Sequence, residues 1–389
     1  MKWFRLQRSF FAYLITFPKE YANPPLSTSV GPSMAVVRKA ICALLLAVGV
    51  IAGWIDYRAD AQERPKDLTE LPIEELAKLD VISINVLGTH THLAGQWMLA
   101  YKYMFVSMDG NRKGTKRIST TEVLRNFDAA PTDMTMEMHM PMVMYAPSDD
   151  LSLMAEIPYI RQSMNLVTRE GVRFKEKSEG IGDLHLNALY TFYRYREWEH
   201  RLALNAGLSF PTGSIHQKDF GHHGGHHGLG RARLGYPMQL GSGTFDLLPG
   251  VTYFGQSENW AWGAEVIPTI RVGKNRNGYR LGNRYELAGW GARKLTDWLS
   301  LSARLDGQIW QNIHGSDSAL DPADEPTKDA NLQGGKRVDF LLGINLYAPR
   351  GILQGHRLAI EGGVPIYQWL DGPQLQTKWK LAVGWQWVF

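Results

Sequence analysis

The last fifteen residues, 375–389, alternate strictly. Leu375, Thr377, Trp379, Leu381, Val383, Trp385, Trp387 and Phe389 fall on one side; Gln376, Lys378, Lys380, Ala382, Gly384, Gln386 and Val388 fall on the other. A period of two marks an extended strand whose two faces meet different surroundings. Half-buried strands of soluble proteins alternate too, but run to about 5–6 residues, whereas a tilted strand crossing a bilayer needs about 9–11. The same long alternation recurs elsewhere. In 182–193, Leu184, Leu186, Ala188, Tyr190 and Phe192 oppose Asp183, His185, Asn187 and Thr191. In 298–310, Leu299, Leu301, Ala303, Leu305 and Ile309 oppose Ser300, Ser302, Arg304, Asp306 and Gln308.

Applied along the chain, this pattern predicts strands at 93–107, 134–146, 151–165, 181–194, 199–210, 243–255, 260–272, 281–293, 298–311, 336–348, 356–368 and 375–389. Reading 229–241 as a further strand would break the alternation of their connections. Short turns (147–150, 195–198, 256–259, 294–297, 349–355) alternate with longer loops (108–133, 166–180, 211–242, 273–280, 312–335, 369–374). Both chain ends then emerge on the short-turn side, as an even-stranded barrel with periplasmic turns and outer loops requires. The expected fold is all-β: an antiparallel transmembrane β-barrel of about 12 strands over 89–389, preceded by a signal peptide and a short periplasmic N-terminal helix.

From Met34 the chain carries Arg38 and Lys39, an apolar run from Ala40 to Trp54, and Ala59-Asp60-Ala61. That is the order of a signal peptide with an A-x-A cleavage site, and the run is short for a membrane anchor, the alternative reading. The expected organisation is an upstream extension at 1–33, a signal peptide at 34–61 and a periplasmic segment at 62–88. Leu68, Leu71, Leu76 and Leu79 recur near helical spacing within 67–82. Setting aside 1–61 removes seven basic and three acidic residues, which leaves the two signs equal in number. The precursor's charge of +4 is therefore no argument for nucleic-acid binding. The single cysteine, Cys42, lies in the signal, so the mature chain has no disulfide or thiol chemistry.

Gly180-Ile181-Gly182-Asp183 followed by Leu208-Ser209-Phe210-Pro211-Thr212-Gly213, together with the strand pattern and the terminal Phe389, resembles a Gram-negative outer-membrane β-barrel. More narrowly, it resembles the outer-membrane transporter family named after the phenol meta-degradation pathway, over roughly residues 90–389. The resemblance implies passage of small molecules, often aromatic, and no transferable catalytic residues. It also implies contact with outer-membrane lipid and recognition of the last strand, ending in Phe389, by the barrel assembly machinery. Residues 67–82 resemble the leader of some TonB-dependent receptors, but no plug-sized domain follows.

The inward set is charged and of both signs: Lys102, Glu137, Glu156, Asp183, Asp246, Glu265, Arg271, Arg284, Glu286, Arg304, Asp306, Asp339, Arg357, Glu361, Lys378 and Lys380. Such a set can stiffen a narrow barrel through cross-strand pairs, line a pore, or do both. Six methionines alternate from Met134 to Met144 (134, 136, 138, 140, 142, 144). They read as a lipid-facing strip or as a thioether ladder for Cu(I). An ionised Glu137 belongs in the lumen, which would turn the methionines outward.

His222, His223, His226 and His227 in GHHGGHHG, with His216 nearby, form a tract able to hold Cu or Zn. His90 and His92 in THTH are a weaker candidate. No hydrolase or kinase motif appears, and the chain reads as a non-enzyme; Ser209 with His185 is the only nucleophile and base pairing available. The expected function is a channel or transporter for a small solute in the outer membrane. The alternative is a metal-binding barrel using Met and His groups, and less favoured is an outer-membrane hydrolase. No resident cofactor is expected beyond that possible metal.

Overall fold

The computed structural model describes residues 90–195, 199–221 and 230–389. The expected extension, signal peptide, periplasmic helix and histidine tract (His222, His223, His226, His227) lie outside the described residues.

Sixteen strands account for most of what is described: β1 (Trp97–Gly114), β2 (Lys116–Ile118), β3 (Ala129–Ser148), β4 (Leu151–Glu156), β5 (Tyr159–Thr168), β6 (Arg173–Ile181), β7 (Leu184–Tyr195), β8 (His200–Phe210), β9 (Lys218–Gly221), β10 (Gly230–Arg233), β11 (Phe245–Gln256), β12 (Trp260–Val272), β13 (Arg284–Thr296), β14 (Leu299–Trp310), β15 (Gly335–Tyr347) and β16 (His356–Val388). Eleven of them close a ring in which every neighbour is antiparallel, in the order β1, β16, β15, β14, β13, β12, β11, β8, β7, β4, β3 and back to β1. β16 doubles back near residues 371–374. Its first arm pairs with β15 and its second with β1, and Val388 N donates to Gly355 O at 3.3 Å. Counted by arms, the wall has the twelve staves that the period predicts.

The seam runs in register from Met98↔Val388 to Phe105↔Leu381. It is finished by reciprocal bonds between Trp97 and Phe389, N–H to C=O at 2.8 and 2.9 Å. Closure leaves the wall without a free edge, the only arrangement of strands a bilayer tolerates. No described helix is long and apolar enough to cross a membrane.

The two faces separate as the alternation requires. Leu301, Leu305, Leu342, Ile344, Leu358 and Ile360 point outward and are exposed, while Ser300, Ser302, Arg304, Asp306, Asn345 and Glu361 on the same strands point inward and are buried. Aromatic side chains mark both rims of the outer face. Trp97 stacks on Tyr145 near the chain ends, and Phe210 meets Phe245 edge-on near the loops.

Three features depart from the simple pattern. The expected strand 151–165 breaks at Ile157-Pro158, since proline has no N–H for the ladder. The β5–β6 hairpin is carried on β3 beyond that break. Among the described residues 230–241 the one strand is the short β10, which pairs with β9 outside the barrel sheet. Near the top of β1 the register slips around Gly110, whose φ of +77° suits a residue without Cβ.

The orientation of the methionine strip is opposite to the expectation. Met144, Met142 and Met140 stand opposite Met98, Ala100 and Lys102, all three buried and inward. Val143 and Pro141 stand opposite Leu99 and Tyr101, both exposed and outward. Glu137 therefore faces outward, between Phe105 and Arg161. It lies eight residues above Tyr145 on β3, roughly 20 Å up the wall at about 3.3 Å per residue and a tilt near 40°. That is close to the outer edge of an apolar band about 25 Å tall. Its neighbours there are polar: Arg161 Nε lies 3.2 Å from Glu179 Oε2, and Tyr101 Oη lies 2.5 Å from His139 Nδ1.

Single cysteines at adjacent positions test this. Met142→Cys is expected to react with a water-soluble maleimide through the lumen and Val143→Cys to be protected by lipid. The reverse pattern would restore the outward methionine strip.

Candidate functional site

The lumen is the candidate site, and its walls differ in chemistry. On β13 to β16 the inward side chains form a run of polar contacts from Arg284 to Lys380, with two separate pairs beside it. Arg304 grips Glu361 with two parallel bonds, Nε to Oε1 at 3.0 Å and Nη2 to Oε2 at 2.6 Å. Lys380 Nζ lies 3.2 Å from Asp306 Oδ2 and 2.5 Å from Asp339 Oδ2. Arg337 Nε adds a 2.9 Å contact to Asp339, and Gln308 Oε1 accepts from both Arg337 and Arg284. Arg284 and Glu286 pair at 2.7 Å but remain more than a third exposed, so they face lumenal water. Arg357 donates to Asn345 Oδ1 at 2.7 Å.

A second group sits on the opposite arc, where Lys102 Nζ meets Glu156 Oε2 at 3.3 Å and His185 Nδ1 lies 4.0 Å from Glu156 Oε1. Asp246 is fully buried and paired with Arg271, and Thr244 donates to it. Glu265 shares the inward row with Thr252 and Ala288.

Two further residues of the expected pore lining serve elsewhere. Lys378 is the extra residue of a bulge in the seam, between Ser107↔Trp379 and Met108↔Thr377, and pairs with the exposed Asp109 at 3.0 Å. The bulge takes it out of the inward row and puts Thr377 there instead, bonded to Arg337. Asp183 is buried, but its carboxylate is spent on loop backbone, accepting from Gly213 N at 2.9 Å and Ser242 N at 2.8 Å. Arg337, Gln308 and Thr377 were not singled out from the sequence, although period two places the first two inward.

The apolar part of the lumen has two centres. Toward the short turns, Leu189, Ala203, Phe254, Ala288 and Trp290 cluster inside the wall. The Trp290 ring lies over Gly263, where a Cβ would fall 2.5 Å from it. Toward the outer loops, Met134, Met164 and Leu166 gather with Met108, Met136 and Leu375 around Leu234 and Met238. Leu234 and Met238 belong to a loop, so residues 234–238 dip into the barrel and narrow it against a methionine wall.

The loops are locked together above this point. Asp317 accepts from Arg233 Nη1 at 2.7 Å and Asn277 Nδ2 at 2.8 Å, and its N–H donates to Tyr236 Oη at 3.1 Å. The loop between β14 and β15 reaches as far as β3, where Ala129 N donates to Asp324 O at 2.8 Å. Beside it the buried Glu325 lies 3.9 Å from Lys328 Nζ. Burial pushes the Glu325 carboxyl up; burial and then the Glu325 charge hold Glu176 on β6 well above the usual carboxylate range.

Residues 90–96 cross the other end. Arg201 Nη1 donates to Thr91 Oγ1 at 3.0 Å, His92 N to Ser152 Oγ at 3.2 Å and Ala94 N to Asp149 Oδ1 at 2.7 Å. Thr91 and His92 are buried. Register places His185 directly opposite Ser209, but no hydrogen bond between their side chains is found among the described residues, and the nearby Glu156 is engaged by Lys102. No three His, Cys, Asp or Glu side chains come together for a metal among the described residues.

Arg304→Ala leaves Glu361 buried and unpaired, a change expected to cost about 3–5 kcal/mol of folding stability. Glu361→Gln with Arg304→Met, which removes both charges at similar volume, is expected to cost much less. Urea unfolding from lipid vesicles measures both.

The fold recurs in solved structures. An outer membrane channel from Pseudomonas putida F1 superposes with a TM-score of 0.54 at 16% sequence identity, covering 78% of this chain and 99% of that one. The translocator domain of the autotransporter NalP from Neisseria meningitidis (TM-score 0.42, 9% identity, 75% and 88% covered) is more distant. So is a FadL homologue of Pseudomonas aeruginosa (0.36, 12%, 75% and 89%), and neither carries an argument. No protein-family model and no curated protein matches the chain. The likeness to the Pseudomonas putida channel is one of architecture: this chain has the closed antiparallel barrel fold of outer-membrane proteins.

Proposed function

We propose that the protein is an outer-membrane channel for small solutes that carry both a polar and an apolar face. The observation that carries this reading is the two-sided lumen inside an apolar outer wall. One arc offers fixed charges of both signs, with Arg284 and Glu286 open to water. The other narrows between Met134, Met136 and Met164 and the inserted Leu234 and Met238. Thioethers make favourable contacts with aromatic ring edges and adapt to varied shapes. A molecule with an aromatic or aliphatic body and a charged or hydroxylated end finds a partner for each part. The near balance of sign across the network disfavours strong selection for anions or cations. The likeness to an outer membrane channel agrees with this reading at the level of fold.

On this reading the mature chain is exported through a cleaved signal peptide, and Phe389, exposed at the seam, presents the last strand to the assembly machinery. Planar-bilayer recording tests the channel. The purified protein is expected to give a stable ohmic conductance, and Leu234→Ala with Met238→Ala is expected to raise it by removing the side chains packed against the methionine wall. Silence from both proteins would contradict the proposal.

A further inference from the structure

The turn-side end of the lumen holds a group of side chains that solute passage does not call for. Met98 on β1, Met144 on β3 and Met154 on β4 are consecutive register partners, so three thioethers lie in one row around the inner wall. Met98 and Met144 are buried, and Met142 and Met154 pack against them. The segment that crosses this end brings two imidazoles to the row. His90 Nε2 lies 3.3 Å from Met98 Sδ. The His90 and His92 rings meet edge to face with centroids 4.8 Å apart. His92 is 3% exposed, and neither ring nitrogen makes a close hydrogen bond, although the Gln96 side chain lies near enough to act on the ring. Its backbone is pinned to Ser152, two residues before Met154 on the same inward face of β4.

A buried imidazole with both nitrogens unused is costly unless something else uses them. The set of neutral imidazole and thioether, with no carboxylate or thiolate, is a soft one. Such ligands select Cu(I) over zinc, calcium or magnesium.

We infer that His90, His92, Met98 and Met144, with Met154 adjoining, form a Cu(I) site at the turn-side mouth of the barrel. It is distinct from the loop tract of His222, His223, His226 and His227, and it does not require the pore to be open. The ion binds as Cu(I), and no electron transfer is involved.

Competition against the coloured Cu(I)–bicinchoninate complex, with ascorbate present, tests the assignment on the full-length barrel in detergent. The folded protein is expected to withdraw one Cu(I). His92→Gln, and separately Met98→Leu with Met144→Leu, are expected to weaken binding about ten-fold or more. Replacing the four loop histidines by Ala is expected to leave it unchanged. The leucine pair preserves volume and apolar character, so it decides the matter should His92→Gln fail to fold. Failure to withdraw Cu(I), undiminished affinity in the leucine pair, or loss only in the loop variant would overturn the inference.

Discussion

Every other property of this chain depends on the pairing of its first and last strands. Hydrocarbon offers no partner for a peptide N–H or C=O, so a sheet with a free edge cannot stand in it. β1 is bonded on one side to β16 and on the other to β3, from Trp97 upward. The last residue of the chain is bonded to the first residue of the first strand. Once the ring is closed, the side-chain period of two sorts the sequence into an inside and an outside, and the residue content of each follows.

Closure also makes the interior chemistry possible. Charges such as Glu361, Asp339 and Lys380 would be expensive in a protein core without partners. Here the strands' register delivers the partners. Arg304 and Glu361 lie one strand apart around the wall, on β14 and the first arm of β16, with β15 between them contributing Gly343 beside Ser302 and Glu361. The small residue leaves the space that the guanidinium and carboxylate bridge. The opposite arc is rich in methionine and carries fewer charges, with Lys102 paired to Glu156, so more of its surface can meet a loop or a ligand.

How much of this was legible in the sequence depended on whether a feature followed the period or interrupted it. The inner charges of β11 to β15 and of the first arm of β16 fall where alternation puts them. The methionine strip departs from the expected lipid-facing orientation because that expectation rests on a lumenal Glu137. The ladder shows it at the outer rim, where Arg161, Glu179, Tyr101 and His139 make the surroundings polar. Lys378 departs from the inward row because one bulge shifts the parity of the residues beyond it, and a bulge leaves no mark on alternation. The inserted residues 234–238, the lock at Asp317 and the crossing of residues 90–96 rest on contacts far apart in the chain, which local pattern does not carry. The pair His90 and His92 was visible as a motif, but the methionines that give it meaning come from three separate strands.

Cross-linking across the seam tests the closed ring most directly. Ala100→Cys with Gln386→Cys places two thiols at directly opposed positions of β1 and β16, in a chain otherwise lacking cysteine after residue 42. A closed barrel in this register predicts efficient oxidative cross-linking of that pair and little for Ala100→Cys with Ala382→Cys, four residues away. Cross-linking of the displaced pair instead, or of neither, would contradict the closed, in-register barrel.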